Sequence, residues 1–164
     1  MRKITLILVA CIICATSAFA QKYGHVNSTD IMQAMPGIDS VQIKIAEFQK
    51  SLETLYENMA NEFQTKNEKF NKEAGTMSSA VRKVREDELV ALQNRIQEFQ
   101  MNVQDDLEEE YMRLIAPYKE KVQNAINDVA KDNKYSYIFD TQILLYYDGG
   151  DDVTPLVKKK LGIK

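Results

Sequence analysis

Residues 38–116 contain no proline and a single glycine, Gly75, which lies close to the middle of the stretch. Residues 75–78 divide it into two parts of nearly equal length, and apolar residues recur in each part at intervals of three and four. This spacing is typical of amphipathic helices that pack along a narrow seam. The sequence therefore predicts a long antiparallel helical hairpin over residues 38–116, with its tip near residues 75–78.

The apolar positions of the two parts predict how the helices pair. In the first part they are Val41, Ile45, Phe48, Leu52, Leu55, Met59, Phe63 and Phe70, and in the second Val81, Val84, Leu89, Leu92, Ile96, Phe99, Val103, Leu107, Tyr111 and Leu114. A turn centred near residue 76 places Phe70 between Val81 and Val84. The apolar stripe is narrower than that of a helix packed into a globular core. We therefore expect a coiled-coil tentacle whose other faces contact solvent.

Residues 1–20 predict a cleavable secretory signal peptide. Two basic residues follow the initial Met, residues 4–13 are apolar, and residues 18–20 read Ala-Phe-Ala, as at an A-x-A cleavage site. Residues 8–11 also resemble a lipid-attachment box, but the cysteine comes too early to leave a usable apolar stretch before it. Both cysteines lie in this leader, so a mature chain starting at Gln21 has no disulfide and no Cys-based metal site.

Residues 21–37 and 117–164 predict a small β-rich body, which forms a single domain with the hairpin. Strand-like segments cover residues 22–27, 135–140 and 143–147, and the Asp/Gly run of residues 148–152 predicts a turn. Thr29 and Thr154 are predicted to cap short helices. Pro117 is predicted to kink the helix or to make it restart, because proline removes a helical hydrogen bond and clashes with the preceding turn.

The predicted strands carry more aromatic surface than one small sheet can bury. These aromatic residues are Tyr23, Tyr135, Tyr137, Phe139, Tyr146 and Tyr147. A core of this size stabilises a fold only weakly by itself. We therefore expect several copies of the chain to share a core. The residues expected in that oligomer body are Tyr23, Val26, Tyr137, Phe139 and Leu145.

The charge pattern excludes some partners and suggests others. The formal net charge is -3, whereas general nucleic-acid binding requires a basic surface. Basic residues outnumber acidic ones between positions 64 and 86, so the tip of the predicted hairpin is expected to be positive. This tip is a candidate contact for acidic partners. Its residues are Lys66, Lys69, Lys72, Arg82, Lys83 and Arg85.

No enzyme motif is present in the sequence. His25 is the single histidine, and it has no evident partner for acid–base catalysis. The chain lacks a nucleophile elbow, a phosphate-binding glycine loop and an HExxH motif. The Asp/Gly run of residues 148–152 lacks the alternating ligands of a calcium loop. We therefore expect no catalytic residue, no cofactor and no metal.

The two ends of the chain resemble the Skp/OmpH family of periplasmic chaperones. The resemblance begins with Tyr23-Gly24-His25-Val26-Asn27-Ser28, followed by Ile31 and Met35-Pro36. It resumes with Pro117, Val122, Ala125-Ile126, Val129-Ala130 and Tyr135-Ser136-Tyr137-Ile138. It closes with Asp152-Val153-Thr154, Val157 and Leu161. These patterns are loose individually, but their order around a long helical hairpin is specific.

The resemblance implies a periplasmic homotrimer whose small β-rich body carries three helical hairpins. Such proteins act as ATP-independent holdases that enclose unfolded outer-membrane β-barrel proteins. Family members have no discrete catalytic residues, so none is assigned here. The best-known members are strongly basic, whereas this chain is mildly acidic. Weak contact with a membrane or with lipopolysaccharide is therefore expected only at the basic tip.

Two functions are consistent with these features. The first is the holdase, for which methionines along the arms offer soft and adaptable contacts: Met59, Met77, Met101 and Met112. The alternative is an envelope adaptor whose hairpin docks onto one folded partner. An adaptor should capture one dominant folded protein, whereas a holdase should capture many barrel precursors.

Overall fold

The computed structural model describes residues 21–163, and the predicted signal peptide lies outside this range. The elements in chain order are β1 (Tyr23–Val26), α1 (Ser28–Gln33), α2 (Asp39–Glu73), α3 (Ser79–Asp132), β2 (Tyr137–Asp140), a 3-10 turn (Thr141–Ile143), β3 (Asp151–Asp152) and α4 (Thr154–Leu161). The mostly helical α+β composition predicted from the sequence is confirmed. Two compact units are present: a helical unit of residues 36–118, and a mixed unit of residues 21–35 with 119–163.

In the helical unit, contacts between α2 and α3 pair increasing residue numbers in α2 with decreasing residue numbers in α3. Gln100 Nε2 donates a hydrogen bond to the Tyr56 hydroxyl at 3.0 Å. Further along α2, the Glu62 carboxylate lies 3.7 Å from Arg95 Nη2. The two helices are therefore antiparallel neighbours along this stretch.

The register of this pairing differs from the predicted one. A turn centred near residue 76 would place Ala91 opposite Glu62, but Arg95 contacts Glu62 instead. The ring of Phe99, rather than position 97, stacks on that of Tyr56 with 6.4 Å between centroids. The shift of two to four residues approaches one helical turn. The position of the turn alone does not determine this register. The rotation of each helix about its own axis decides which side chains of α2 contact which side chains of α3.

Burial along the seam follows the predicted pattern only in part. Val41, Leu52, Met59 and Leu92 are buried as predicted, whereas Leu55, Val81, Val84 and Tyr111 are 37–57% exposed. Leu55 is outside the seam because the next residue, Tyr56, makes the contact with α3 at that turn. Val81 and Val84, the predicted neighbours of Phe70, are each about half exposed, and Phe70 lines a small pocket with Arg85 and Leu89.

The sheet of the mixed unit consists of parallel strands in the order β2-β1-β3. Its buried face packs closely against β1, because a Cβ at Gly24 would lie 3.1 Å from Val153 Cγ1 and a side chain there would have to push that residue aside. The core beneath this face is apolar and is drawn from both ends of the chain. It contains Val26, Ile31, Met35, Val122, Ala125, Val129, Val153 and Val157.

Neither predicted threonine is the N-cap of its helix, because the N-cap residues are Asn27 for α1 and Val153 for α4. The Asn27 side chain accepts the N–H of Asp30 at 3.0 Å and so caps α1, instead of Thr29. At α4, the Asp152 carboxylate accepts the N–H of Thr154 at 2.9 Å. Hydrogen bonds from Thr154, chiefly from its side chain, lower the pKa of Asp152. The Thr154 hydroxyl also accepts the N–H of Asn27 at 3.0 Å, which ties the end of β1 to α4.

The strand predicted over residues 143–147 is not formed, and the helix does not restart at Pro117. Residues 143–147 form no strand, and the third strand is instead the two-residue β3, inside the predicted turn. No strand of residues 21–163 pairs with that segment. Pro117 lies inside α3, which continues through it. Proline costs the hydrogen bond to the carbonyl of Arg113, but the neighbouring bonds are enough to carry the helix past it.

A charged cluster joins β1 to β3 at the edge of the mixed unit. Lys22 Nζ lies 3.2 Å from an Asp151 carboxylate oxygen and 4.0 Å from the ring centre of Tyr135. The Tyr135 hydroxyl donates to the same carboxylate at 2.7 Å. Hydrogen bonds from Tyr135 and then Lys22 lower the pKa of Asp151. Because the pair is exposed, the cluster orients β3 more than it stabilises the fold.

The different burial of Leu52 and Leu55 gives a matched pair of substitutions. Leu52 is 9% exposed and Leu55 is 48% exposed on the same helix. We expect Leu52→Ala to lower the free energy of unfolding by about 2–3 kcal/mol, because it removes buried methyl groups and leaves a cavity. Leu55→Ala should change it by less than about 0.5 kcal/mol. Urea unfolding followed by circular dichroism at fixed protein concentration measures both, and equal losses would contradict the observed seam.

The glycines at the two ends of α2 should respond in opposite ways to alanine. Gly75 has no atom within 4 Å of an added Cβ and no positive φ, so Gly75→Ala should stabilise the protein by about 0.4–1 kcal/mol. Gly37 has a φ of 84°, and its added Cβ would lie 3.2 Å from the Tyr118 hydroxyl. Gly37→Ala should therefore destabilise by about 1–2 kcal/mol. The same unfolding measurement checks both, and a loss at Gly75 would show that its backbone needs glycine.

Candidate functional site

Half of the residues of the predicted basic tip pair with acidic residues of the same helices. Lys66 lies 3.1 Å from Glu62, Lys83 2.8 Å from Asp87, and Arg85 2.9 Å from Glu88. These acidic partners fall just outside the window used to predict a positive tip. Between positions 62 and 88 the numbers of basic and acidic residues are equal. The positive field expected at the tip is therefore mostly neutralised locally.

Three of the six predicted tip residues have no carboxylate partner within the described chain. Arg82 Nη2 donates to the carbonyl of Ala74 at 3.0 Å, at the C-terminal end of α2. Lys69 and Lys72 make no hydrogen bond or ion pair with any residue between 21 and 163. They are three positions apart on one helix, so their side chains lie on the same face. The positive surface is therefore reduced to Lys69 and Lys72, with Arg82 nearby.

A groove of about 400 Å³ lies between α2 and α3, and sequence reasoning did not find it. Its floor, called here the seam groove, is formed by the apolar or aromatic side chains of Leu52, Tyr56, Phe99, Val103 and Leu107. Its rim contains Gln49, Glu53 and Gln100. The only sequence signal for it is the pair Leu55–Tyr56, where two apolar residues compete for one seam position.

Exposed apolar side chains are spread over the helical unit outside this groove. Ile43, Val84 and Val90 are each more than half exposed, and Met101 is 71% exposed. Of the methionines predicted to face partners, Met59 is buried in the seam, Met77 is half-buried, and Met101 and Met112 are exposed. The long helices therefore present scattered apolar contacts among charged residues, with no single large patch.

The second candidate surface is the outer face of the small sheet. The ring centroids of Tyr23 and Tyr137 are 5.8 Å apart, and those of Tyr137 and Phe139 are 6.0 Å apart, both pairs nearly parallel. All three side chains are 39–55% exposed. This aromatic face is the β-sheet surface opposite the Gly24 side. Val26, predicted to lie with these residues in an oligomer contact, is buried in the core of the mixed unit instead.

The segment of residues 143–147 is a third apolar surface. Ile143 is 75%, Leu145 105% and Tyr146 79% exposed. Tyr147 contacts the His25 ring, with centroids 4.6 Å apart, so the segment adjoins the aromatic face. Monomeric soluble proteins seldom leave this much clustered apolar surface in water, and such patches mark interaction sites.

The described residues contain no arrangement that suggests catalysis. His25 is half-buried, and its Nδ1 has no hydrogen-bond partner among residues 21–163. Within the same range, no group of three or more His, Cys, Asp or Glu side chains is placed to hold a metal ion. No helix in this part of the chain is long and apolar enough to cross a membrane. The functional candidates are therefore surfaces.

Comparison with known proteins gives relatives over nearly the whole described chain. A family model described as outer membrane protein (OmpH-like) matches residues 22–161. Chaperone protein Skp from Yersinia enterocolitica is 24% identical over 151 residues, which cover 90% of each chain. Chaperone protein Skp from Pectobacterium atrosepticum is 24% identical over 146 residues, covering 87% of this chain and 86% of its own.

A solved structure shares the fold. The crystal structure of a protein described as an OmpH-like outer membrane chaperone from Caulobacter crescentus aligns with a TM-score of 0.65 at 13% identity. The alignment covers 86% of this chain and 83% of that one. The family resemblance noted in the sequence is thus confirmed. With a matching family model across residues 22–161, the chain belongs to the OmpH-like outer membrane protein family.

Proposed function

We propose that this protein is an ATP-independent holdase that binds unfolded outer-membrane β-barrel proteins in a cavity between helical tentacles. Family membership supports the proposal, since two relatives bear the name Chaperone protein Skp. The observation that carries it is the surface of α2 and α3. These helices bury one narrow seam and leave scattered apolar side chains exposed among charges.

This surface suits many weak contacts with a non-native chain. A binding site for one folded partner concentrates its energy in a few central residues with a dry, well-packed surrounding. Here the exposed apolar residues are dispersed, from Ile43 near the start of α2 to Met112 on α3. A client without fixed structure can adapt to such dispersed positions, and exposed methionine adapts in turn. The dispersion favours a holdase over an adaptor.

The tentacles are proposed to act as a homotrimer. The aromatic face and residues 143–147 supply apolar surface that a single chain leaves in water. Burying this surface against other copies removes it from solvent, which is favourable at about 25 cal/mol per Å². Residues 143–147 have strand-like composition and no strand partner in residues 21–163. Pairing with a neighbouring subunit is the arrangement that gives them one.

The proposed location is the periplasm. The signal peptide predicted for residues 1–20 leads to export and removal of the leader. In that compartment the protein meets barrel precursors before their insertion. The unpaired lysines Lys69 and Lys72 are the proposed contacts for acidic groups of clients or, weakly, of lipopolysaccharide. The local neutralisation of Lys66, Lys83 and Arg85 keeps this electrostatic contribution small.

An aggregation assay tests the holdase. A urea-unfolded outer-membrane barrel protein is diluted into buffer with or without residues 21–164, and light scattering is followed. We expect suppression at about one trimer per client, unchanged by added ATP, because binding uses passive surface contacts. A matched folded protein should show no binding. Unaltered aggregation at excess trimer would refute the proposal, and capture of one dominant folded envelope protein would favour the adaptor.

Light scattering also tests the proposed self-association surface. Leu145 is fully exposed, so Leu145→Asp should not disturb the fold of a single chain. A charge in a buried subunit contact is strongly unfavourable, and we expect the variant to shift from trimer toward monomer. Ile43→Asp introduces the same charge at an exposed site of α2 and serves as the control. A Leu145→Asp protein of trimer mass would place the subunit contact elsewhere.

A further inference from the structure

The seam groove exists because one turn of the seam is incompletely filled. Leu52 and Met59 are buried, but Leu55 between them faces solvent. The turn is occupied instead by Tyr56, which lies to one side of the seam, stacked on Phe99. A cavity of about 400 Å³ is left beside it.

The aromatic wall of the groove is held in place before any ligand arrives. The hydroxyl of Tyr56 accepts a hydrogen bond from Gln100 Nε2 at 3.0 Å, while its ring contacts Phe99. A side chain fixed at both its ring and its hydroxyl loses little further freedom on binding. The groove is therefore a preformed acceptor for an apolar group.

The size of the groove limits what it can accept. Ligand pockets in proteins span roughly 300–1,000 Å³, so about 400 Å³ is near the lower end. It suits one or two large side chains and cannot enclose a long segment. Because aromatic rings pair favourably with other rings in offset or edge-on geometry, the Tyr56 and Phe99 rings favour an aromatic guest.

The charge at the rim of the groove indicates which residue should lie near the bound aromatic residue in the client sequence. Glu53 is the only ionised side chain lining the groove. Its carboxylate accepts the Gln49 amide at 3.2 Å, and no cationic group of residues 21–163 lies within ion-pair distance of it. A Lys or Arg of the bound chain would complement it. In an extended chain, side chains two positions apart lie on the same face.

We propose that the seam groove binds an aromatic side chain of an unfolded client that has Lys or Arg two residues away. The aromatic ring occupies the floor beside Tyr56 and Val103, and the cation lies against Glu53. The inference rests on the proposed holdase function and assigns part of its binding to one defined place. The remaining exposed apolar residues then provide weaker contacts around it.

The chain has no tryptophan, which allows a direct optical test. The probe is a flexible Ser/Gly peptide containing one Trp-Ser-Arg sequence, titrated with the mature protein. Its tryptophan emission should shift to shorter wavelength as the ring leaves water. A peptide with Trp-Ser-Glu should bind about two- to fivefold more weakly, the size expected of one exposed ion pair.

Matched variants locate the binding. Gln49 is an exposed rim residue, so Gln49→Phe can fill the groove without altering the seam. It should weaken the Trp-Ser-Arg peptide on the order of tenfold, as expected for loss of a central contact. Gln42→Phe makes the same change one heptad earlier, outside the groove, and should bind like the wild type. Glu53→Gln should abolish the preference for Arg over Glu, whereas Glu47→Gln should retain it.

These experiments test peptide binding in the seam groove separately from the proposed holdase function. Equal binding by the Gln49→Phe and wild-type proteins, or equal weakening in both Phe variants, would overturn the proposal. So would an unshifted tryptophan emission with a wild-type protein that does suppress client aggregation, and in that case the holdase would stand. Circular dichroism and light scattering of every variant establish that the fold and assembly are retained. Loss of aggregation suppression in the wild type would instead refute the proposed function.

Discussion

The helical unit depends on a single apolar seam between α2 and α3, because each of these helices has only one partner along it. A helix with one partner can bury one narrow stripe, so only a few side chains, such as Leu52, Met59 and Leu92, are removed from water. The other seam residues are half-buried. Two consequences follow. The stability of this unit is concentrated in few positions, and most of its surface stays available for contacts with other molecules.

Positive and negative charges on that surface are more nearly balanced than the count over positions 64–86 indicated. Most ion pairs of the helical unit join residues three or four positions apart on the same helix. Such pairs stabilise a helix by about 0.2–0.5 kcal/mol each and cancel the field at a distance. With the tip neutralised in this way, apolar contacts are the main source of affinity available to the proposed client. The seam groove, lined in part by Tyr56 and Phe99, brings several such contacts together within the described helices.

The small sheet of the mixed unit has one buried face and one exposed face. One face is buried by Val153 and other aliphatic residues, close enough that a Cβ at position 24 would lie 3.1 Å from Val153 Cγ1. The opposite face holds the stacked rings of Tyr23, Tyr137 and Phe139, which remain substantially exposed. A chain that places three aromatic rings in register on a solvent-facing sheet is best explained by association with other copies. This is the physical basis of the proposed trimer, and it is independent of the contacts that clients are proposed to make.

The sequence by itself determined the helices, the fold class and the family, because apolar spacing and the absence of proline and glycine act locally. The tertiary structure decided the register, the choice of Tyr56 over Leu55, the capping of α1 by Asn27, and the hydrogen bond from the Thr154 N–H to Asp152 at the start of α4. It also placed β3 where the sequence indicated a turn, and left residues 143–147 without a partner strand. Each of these depends on which side chains meet across elements distant in the chain. The seam groove belongs to this second group, since its lining residues come from both helices and form a groove only where the two helices meet.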